Sequence, residues 1–377
     1  MAFALVGARV FDGDHMIDGR AVVIDGGRIA GVPDQKDLGV GIETKHVEGL
    51  LAPGFIDTQV NGGGGVLFND ERSVAGIRAI GEAHRRFGTT GFLPTFITDT
   101  RERMAEAFRA AGEALRERVP GVLGIHLEGP FINPERKGVH DPAHMRRIED
   151  EDHAIMTSLT QGKTLVTVAP EWTGIEAVAK LAAAGILVSA GHTAGDHATI
   201  MEAYRNGLRG FTHLFNAMPP MAGREPGPVG AALDAADAWC GIIVDGHHVN
   251  DASLRVAIAA KGADRIMLVT DAMSSVGSDM TRFDLMGRTV YRAEGRLTTA
   301  DGTLAGSDID MASTVRNAVG RLGLPLRDAL RMASLTPAAF LGLDRELGRI
   351  APGYRADLVL LDDDLQVHGT WIGGRAA

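Results

Sequence analysis

The sequence predicts an α/β fold: a (β/α)8 TIM-like barrel with a small β-sandwich domain formed by both chain termini. Three observations carry this expectation. Strand-like and helix-like stretches alternate through the middle of the chain, giving eight strand-then-helix units. The apolar strand-like runs repeatedly end in a polar side chain, whereas buried parallel strands should be almost wholly apolar. Both ends of the chain read as short strands without helix-like stretches, unlike the middle. A doubly wound sheet would also alternate, but the count of eight and the placement of the polar groups favour the barrel.

Residues 1–50 contain FALVGARVFDG, AVVIDGGRIAGV and TKHVEGLLAP, β-rich runs broken by Gly and Asp, with Asp25-Gly26 suited to a hairpin turn. Residues 345–377 repeat the pattern in LGRIAPGYRADLVLLD and QVHGTWIGG. These two stretches are expected to form one small β domain around a barrel over residues 51–344. The barrel strands are read at 54–60, 91–96, 122–129, 164–171, 186–192, 210–216, 241–248 and 265–272. Helix-like stretches between them include SVAGIRAIGEAHRRFG, RERMAEAFRAAGEALRER and GIEAVAKLAAAG, and MASTVRNAVGRLG follows the last strand. The segment 274–302 reads as a hairpin or lid, with a β turn at YRAEGRL.

The bulk composition fits this architecture. A chain of 377 residues accommodates a barrel of about 250 residues and a smaller module. A formal net charge of -10 argues against general nucleic-acid binding, which wants a basic face. The single cysteine, Cys240, allows no intrachain disulfide, fits a reducing cytoplasmic compartment and reads as a buried inert thiol. No signal peptide and no membrane span are expected, because no basic stretch precedes a long apolar run and no stretch of about 18 apolar residues exists.

The polar groups that end the strands are Gln59, Glu128, His192, His213, His248 and Asp271. In a (β/α)8 barrel the C-terminal strand ends share one face, where active sites sit. Glu128, His192 and His213 make a carboxylate and two imidazoles, a set suited to one divalent cation with a position open for water. Zinc suits it first, and iron, cobalt or manganese also fit, because ligand type alone does not select among them. Asp271 is placed to take a proton from that water and pass it to a leaving amine. Any one such residue alone is more often a hydrogen-bonded structural group. Four on four strands of one barrel are much harder to explain that way.

Strand one carries Asp57, Gln59 and Asn61 on one face. Gln59 and Asn61 are neutral amides, poor zinc ligands and good hydrogen-bond partners, so one metal is expected and the amides serve as a possible second-site or water-binding pair. His126 is read as structural, packed or bonded to Asp57, and His247 as pointing away from the mouth. The run Gly62 to Gly65 suits either a close backbone approach to a ligand or a plain flexible loop. The loop FNAMPPMAGREPGPVG is long and Pro/Gly-rich, and Arg224 is its only cation, either a phosphate grip or a solvated side chain. His140 and His248 are further candidates for polar ligand contact.

LEGPF, GH at 191–192, THLFNAMPPMAGREPG, DGHHV, TDAM and TLAGS together resemble the signature set of the N-acetylglucosamine-6-phosphate deacetylase family. APGFIDTQVNGGGG and GRIAPGYRADLVLLD resemble the wider amidohydrolase superfamily, and the resemblance runs nearly end to end. It implies Glu128, His192 and His213 as metal ligands and Asp271 as the catalytic acid/base. It implies substrate contacts from Val139, His140, Asn216 and Ala217, phosphate contacts from Arg224 and His248, and a sugar-pocket loop at Leu304, Ala305 and Gly306. A sugar-phosphate substrate and a homodimer follow from the same resemblance. Some members of the family carry His-x-His on strand one and two metals; Gln59-Val60-Asn61 departs from that pattern. No lysine ends strand four, so the bridging lysine of dihydroorotase-like relatives is not indicated. Rival expectations are deacetylation of the galactosamine epimer and an inactive barrel that only binds.

Overall fold

The structure is a computed structural model and describes residues 2–376. Eight parallel strands follow one another in chain order: β1 (Phe55–Val60), β2 (Thr89–Ile97), β3 (Gly124–Glu128), β4 (Lys163–Val168), β5 (Leu187–Ala190), β6 (Leu208–Phe211), β7 (Trp239–Ile242) and β8 (Ile266–Leu268). Each pairs with the next. The ring closes just beyond β8, where Val60 bridges Ala272 in parallel, Asp271 N donates to Gln59 O at 3.0 Å and Asn61 N donates to Ala272 O at 2.9 Å. This is the expected (β/α)8 barrel.

Among the described residues each strand is followed by a helix of seven or more residues: α1 (Val74–Arg85), α2 (Arg101–Arg116), α3 (Asp150–Met156), α4 (Ile175–Ala183), α5 (His197–Arg205), α6 (Gly227–Asp234), α7 (Asp251–Lys261) and α8 (Met311–Gly320). Their starts are written locally. Ser73, Thr100, Asp196, Asn250 and Asp310 cap α1, α2, α5, α7 and α8 by accepting a backbone N–H from the first turn. α2 shows the burial logic: Met104, Ala107, Phe108, Ala111 and Ala114 recur at helical spacing and face the strands. Fully burying a side chain such as Phe108 contributes about 1.5–3 kcal/mol, and the helix is retained by that face rather than by intrinsic propensity.

The strands are shorter at their C-terminal ends than the apolar runs suggested. β5, β6 and β7 end at Ala190, Phe211 and Ile242, so His192, His213 and His248 stand on the loops beyond them. The apolar run continues past each strand because those loops remain buried over the barrel mouth: Thr193, Leu214 and Val244 are each 0% exposed. Lys163 opens β4 at the end opposite the mouth.

Strands from both termini share a six-stranded sheet, in the order 375–376, 367–372, 358–361, 50–53, 9–11 and 16–17. A four-stranded sheet of 28–31, 22–25, 3–6 and 43–46 packs on it. Leu5, Val22, Ile24 and Ile29 of the second sheet meet Val10, Leu51, Leu358 and Trp371 of the first in one apolar core, which makes the pair a sandwich. The Asp25-Gly26 hairpin is present, with Gly26 at φ +55 and Gly27 at φ +82.

Residues 282–299 form a three-stranded antiparallel sheet, one strand more than the expected hairpin, turning at Glu294-Gly295. Its Phe283, Leu285, Val290 and Leu297 pack on Leu67, Ile97, Met273 and Ala305 beside the barrel mouth. No helix among the described residues is long and apolar enough to cross a membrane.

Candidate active site

The C-terminal mouth of the barrel holds a cavity of about 200 Å³. It is lined by Asn61, Glu128, Val139, His140, His192, His213, Asn216, Ala217, His248, Asp271, Leu304 and Gly306, all singled out from sequence. Ile97, Gly138, Met273 and Thr303 line it as well. Gly138 adjoins Val139, and Met273 and Thr303 sit inside TDAM and TLAGS, which was the available signal; Ile97 is an ordinary apolar strand residue with none.

At its floor three ligand-type atoms touch. His213 Nε2 lies 2.8 Å and His192 Nε2 3.2 Å from the same oxygen, Glu128 Oε1, and the two Nε2 atoms are 3.1 Å apart. His192 Nδ1 is bonded to the Arg136 carbonyl at 2.8 Å, so in the neutral ring the proton sits on Nδ1. Its Nε2 lone pair then faces a carboxylate oxygen and a second imidazole nitrogen. Converging lone pairs of this kind suit a shared cation, and ligands about 2.1 Å from a tetrahedral centre stand roughly 3.4 Å apart. The donor set therefore fits a divalent metal. Glu128, His140 and His192 also offer ligand atoms within 4.8 Å of one another. His140, however, spends Nδ1 on Thr98 Oγ1 at 2.8 Å, and His213 makes the tighter contact with Glu128.

The electrostatics follow from this packing. Burial would raise the Glu128 pKa, but the close contacts of its carboxylate with the His192 and His213 rings outweigh it and hold the carboxylate well below its usual range. Burial works against the His213 imidazolium, yet Glu128 outweighs it and raises that pKa. Asp271 is pushed up to about 6, first by burial and then by the Glu128 charge. His140 is driven down to about 3 by burial and by the neighbouring His192, so it is neutral.

Gln59 does not line the cavity but ties its parts together. Its Nε2 lies 3.1 Å from both Glu128 Oε2 and Asp271 Oδ1, and Asn61 Nδ2 donates to the same Asp271 oxygen at 2.6 Å. The amides thus occupy the strand-one face as hydrogen-bond donors. Gly62 to Gly65 are not among the residues lining the cavity and are not a plain loop. Gly62, Gly64 and Gly65 donate to the carbonyls of Ala272, Val276 and Ser274, stitching β1 to the Asp271 segment.

Several site residues sit in strained backbone. His192, His213 and Asp271 have φ of +50, +31 and +53, and Phe215 and Ala217 have +79 and +52. Non-glycine residues there cost of order 1–3 kcal/mol each and persist only where surrounding contacts over-determine them. The TLAGS segment supplies some of those contacts: Ser307 N donates to Asp271 O at 2.9 Å and Met273 N to Ser307 O at 3.1 Å. Ala305 is wholly buried, packed with Leu67, Ile97 and Met273, and is not among the lining residues.

Among the other candidates, His248 bonds Asp245 Oδ2 through Nδ1 at 2.6 Å, leaving Nε2 for a ligand, while His247 is exposed. Asn216 Nδ2 donates to His213 O at 3.1 Å, which leaves Oδ1 for a donor. Arg224 lies on the exposed part of its loop and is not among the lining residues. His126 is structural as expected, but Asp57 is not its partner. It bonds Thr95 and Thr167, at 3.3 and 2.8 Å, within a layer that continues to Thr212 and Ser189. Asp57 instead bonds the Thr270 hydroxyl, because the ring closure sets β1 beside the segment after β8. Cys240 is buried, which pushes its thiol up to about 12 and leaves it unreactive.

Residues 50–377 match the model of the Amidohydrolase family, and residues 2–51 match the NagA composite domain. The chain belongs to the amidohydrolase family. Amidohydrolases are metal-dependent, in agreement with the donor set at the floor of this cavity. This amidohydrolase is 43% identical to N-acetylgalactosamine-6-phosphate deacetylase of Shewanella sp., over 98% of this chain and 94% of the relative. It is 38% identical to N-acetylglucosamine-6-phosphate deacetylase of Haemophilus influenzae, over 100% and 99% of the two chains. Its fold superposes on the crystal structure of N-acetylglucosamine-6-phosphate deacetylase from Pasteurella multocida with a TM-score of 0.96, at 36% identity and covering 100% of both chains.

Proposed function

We propose that this amidohydrolase hydrolyses N-acetyl-D-glucosamine 6-phosphate to D-glucosamine 6-phosphate and acetate, in amino-sugar catabolism or cell-wall recycling. The observation that carries the reading is the convergence of Glu128, His192 and His213 on one point with the Asp271 carboxylate tied beside them through Gln59. Glu128, His192 and His213 are the residues that would hold the cation, zinc being our assignment. When bound, a divalent cation at this point supplies a water of lowered pKa and a Lewis acid for the amide carbonyl.

The chain's own residues account for the proton and for orientation. Asp271, with its pKa near 6, is ionised at neutral pH and accepts the proton of the attacking water. Two amides occupy Oδ1, so the proton goes to Oδ2. The same proton then passes to the leaving nitrogen as the C–N bond breaks, which balances the reaction as amide plus water giving acetic acid plus amine, present at neutral pH as acetate and the ammonium form. His140, neutral and accepting the Thr98 hydroxyl at Nδ1, presents Nε2–H to the developing oxyanion. Asn216, His248 and the loop at Leu304 and Gly306 frame the sugar phosphate. Arg224, exposed on its loop outside the cavity lining, is read as a phosphate contact, and the enzyme is read as a homodimer. A cytoplasmic enzyme is supported by one buried free cysteine. Residues 1–50 and 345–377 are read as one β domain flanking a catalytic barrel at 51–344, supported by the sheet they share.

The test is acetate release from N-acetylglucosamine 6-phosphate, its galactosamine epimer and the unphosphorylated sugar, with metal content measured on the same samples. Selective turnover of the gluco phosphate with about one metal per chain is expected. The Shewanella relative makes the epimer comparison necessary. Faster turnover of the galacto phosphate overturns the epimer assignment, and a metal-loaded protein that releases no acetate overturns the substrate.

A further inference from the structure

Glu171 stands outside the cavity lining, on the short helix Pro170–Thr173 that follows β4, and no step above uses it. Its carboxylate nevertheless joins three barrel loops. Oε1 accepts from Asn133 Nδ2 at 2.9 Å, in the loop after β3, and from Ala194 N at 2.8 Å, in the loop after β5. Oε2 accepts from Thr193 Oγ1 at 2.5 Å. Among the described residues no Lys, Arg or His pairs with this carboxylate, so it is not a surface ion pair. All its hydrogen bonds go to neutral groups of the loops it joins.

His192 lies where those loops meet. Its carbonyl accepts from Asn133 N at 3.0 Å, and its ring Nδ1 bonds the Arg136 carbonyl at 2.8 Å. Both of these partners belong to the loop after β3. The two residues that follow His192 are the ones tied to Glu171. The φ of +50 at His192 is a conformation that a side-chain-bearing residue keeps only under such double anchoring. If the β3 loop slides relative to the β5 loop, the imidazole turns and its Nε2 leaves Glu128 Oε1.

We propose that Glu171 is the positioning residue for His192: by clamping Asn133, Thr193 and Ala194 to one carboxylate, it fixes the direction of the His192 ring and with it the geometry of the three-ligand cluster. This rests on the reading of His192 as a metal ligand. Partners of this supporting kind typically change metal affinity about 10- to 100-fold when removed.

The test measures zinc affinity by competition with a chromogenic chelator, together with kcat and KM for N-acetylglucosamine 6-phosphate, in full-length protein. Glu171→Ala is expected to weaken zinc by about 10- to 100-fold and to lower kcat with KM little changed. Glu171→Gln keeps an acceptor for Asn133 and Ala194 and a partner for Thr193, and is expected to restore both. Thr193→Val removes one of the three bonds and is expected to act in the same direction by a smaller factor. It decides the matter if Glu171→Ala does not fold. Parent-like zinc affinity in folded Glu171→Ala or in Thr193→Val, or a Gln variant no better than Ala, overturns the proposal. His192→Ala serves as the separate control. Retention of tight zinc in that variant overturns the ligand reading itself, whereas its loss beside parent-like Glu171→Ala overturns only the role of Glu171.

Discussion

Asn61 Nδ2 stands 2.6 Å from Asp271 Oδ1, and with Gln59 on the same oxygen it leaves Oδ2 as the carboxylate oxygen with no donor among the described residues. The two residues are 210 positions apart and meet because the barrel closes between β1 and the segment after β8. One oxygen is thereby held and the other is free to take a proton.

Asp271→Asn keeps the shape of the side chain and removes its basicity. We expect kcat to fall by about 10²- to 10⁴-fold while metal content stays at the parent level. Steady-state kinetics and metal analysis on the same preparation check this, and an active variant would reject Asp271 as the proton carrier.

The pH dependence has a definite sign. Only ionised Asp271 accepts a proton, so kcat/KM is lost as pH falls through its pKa, near 6 without a cation and lower beside one. The Asn61 hydrogen bond favours the ionised form, so Asn61→Ala is expected to move the acidic limb upward. A pH–rate profile of both proteins reads the shift, and a limb that moves down or stays fixed contradicts the assignment.

His213→Ala and Glu128→Ala each remove one corner of a cluster whose atoms are in contact. Both are expected to lose stoichiometric metal and all measurable turnover. Metal analysis after gel filtration decides it, since retention of about one ion per chain in either variant is incompatible with the three-ligand site.

Gly306 has φ +61, and a Cβ there would lie 2.7 Å from Met273 Cγ and 2.9 Å from Asp271 O. Gly306→Ala therefore pushes on the Asp271 segment. We expect a loss of about 1–3 kcal/mol of stability and a reduced kcat with metal retained. Denaturant unfolding and kinetics test the pair of effects; a variant as stable and active as the parent would show that the segment yields.

Asp57 is fully buried, and burial raises its pKa from 3.8 to about 7 despite the hydrogen bond from Thr270. A raised folded-state pKa means that the folded chain holds a proton the unfolded chain releases. The corresponding stability is fully present below 3.8 and is lost as pH rises through about 7. Asp57→Asn, which cannot ionise, is expected to flatten that decline. Denaturant midpoints between about pH 5 and about pH 8 measure it; parallel curves for the two proteins would exclude the linkage.

The sequence by itself determined the barrel, the sandwich from the two termini, and the residues at the cavity floor. Repeating strand and helix periods are local, and a polar residue ending an apolar run is visible without knowing what lies beside it. Glu128, His192, His213 and Asp271 were legible for that reason. Only the tertiary structure decided which atoms meet. The closing of the ring put Gln59 and Asn61 on one oxygen of Asp271, 212 and 210 residues away. The paths of the loops put Glu171 beside His192, sent Asp57 to Thr270 rather than to His126, and left Arg224 exposed outside the cavity lining. These contacts join segments far apart in the chain, and their geometry depends on barrel closure and loop packing, which no local pattern of residues encodes.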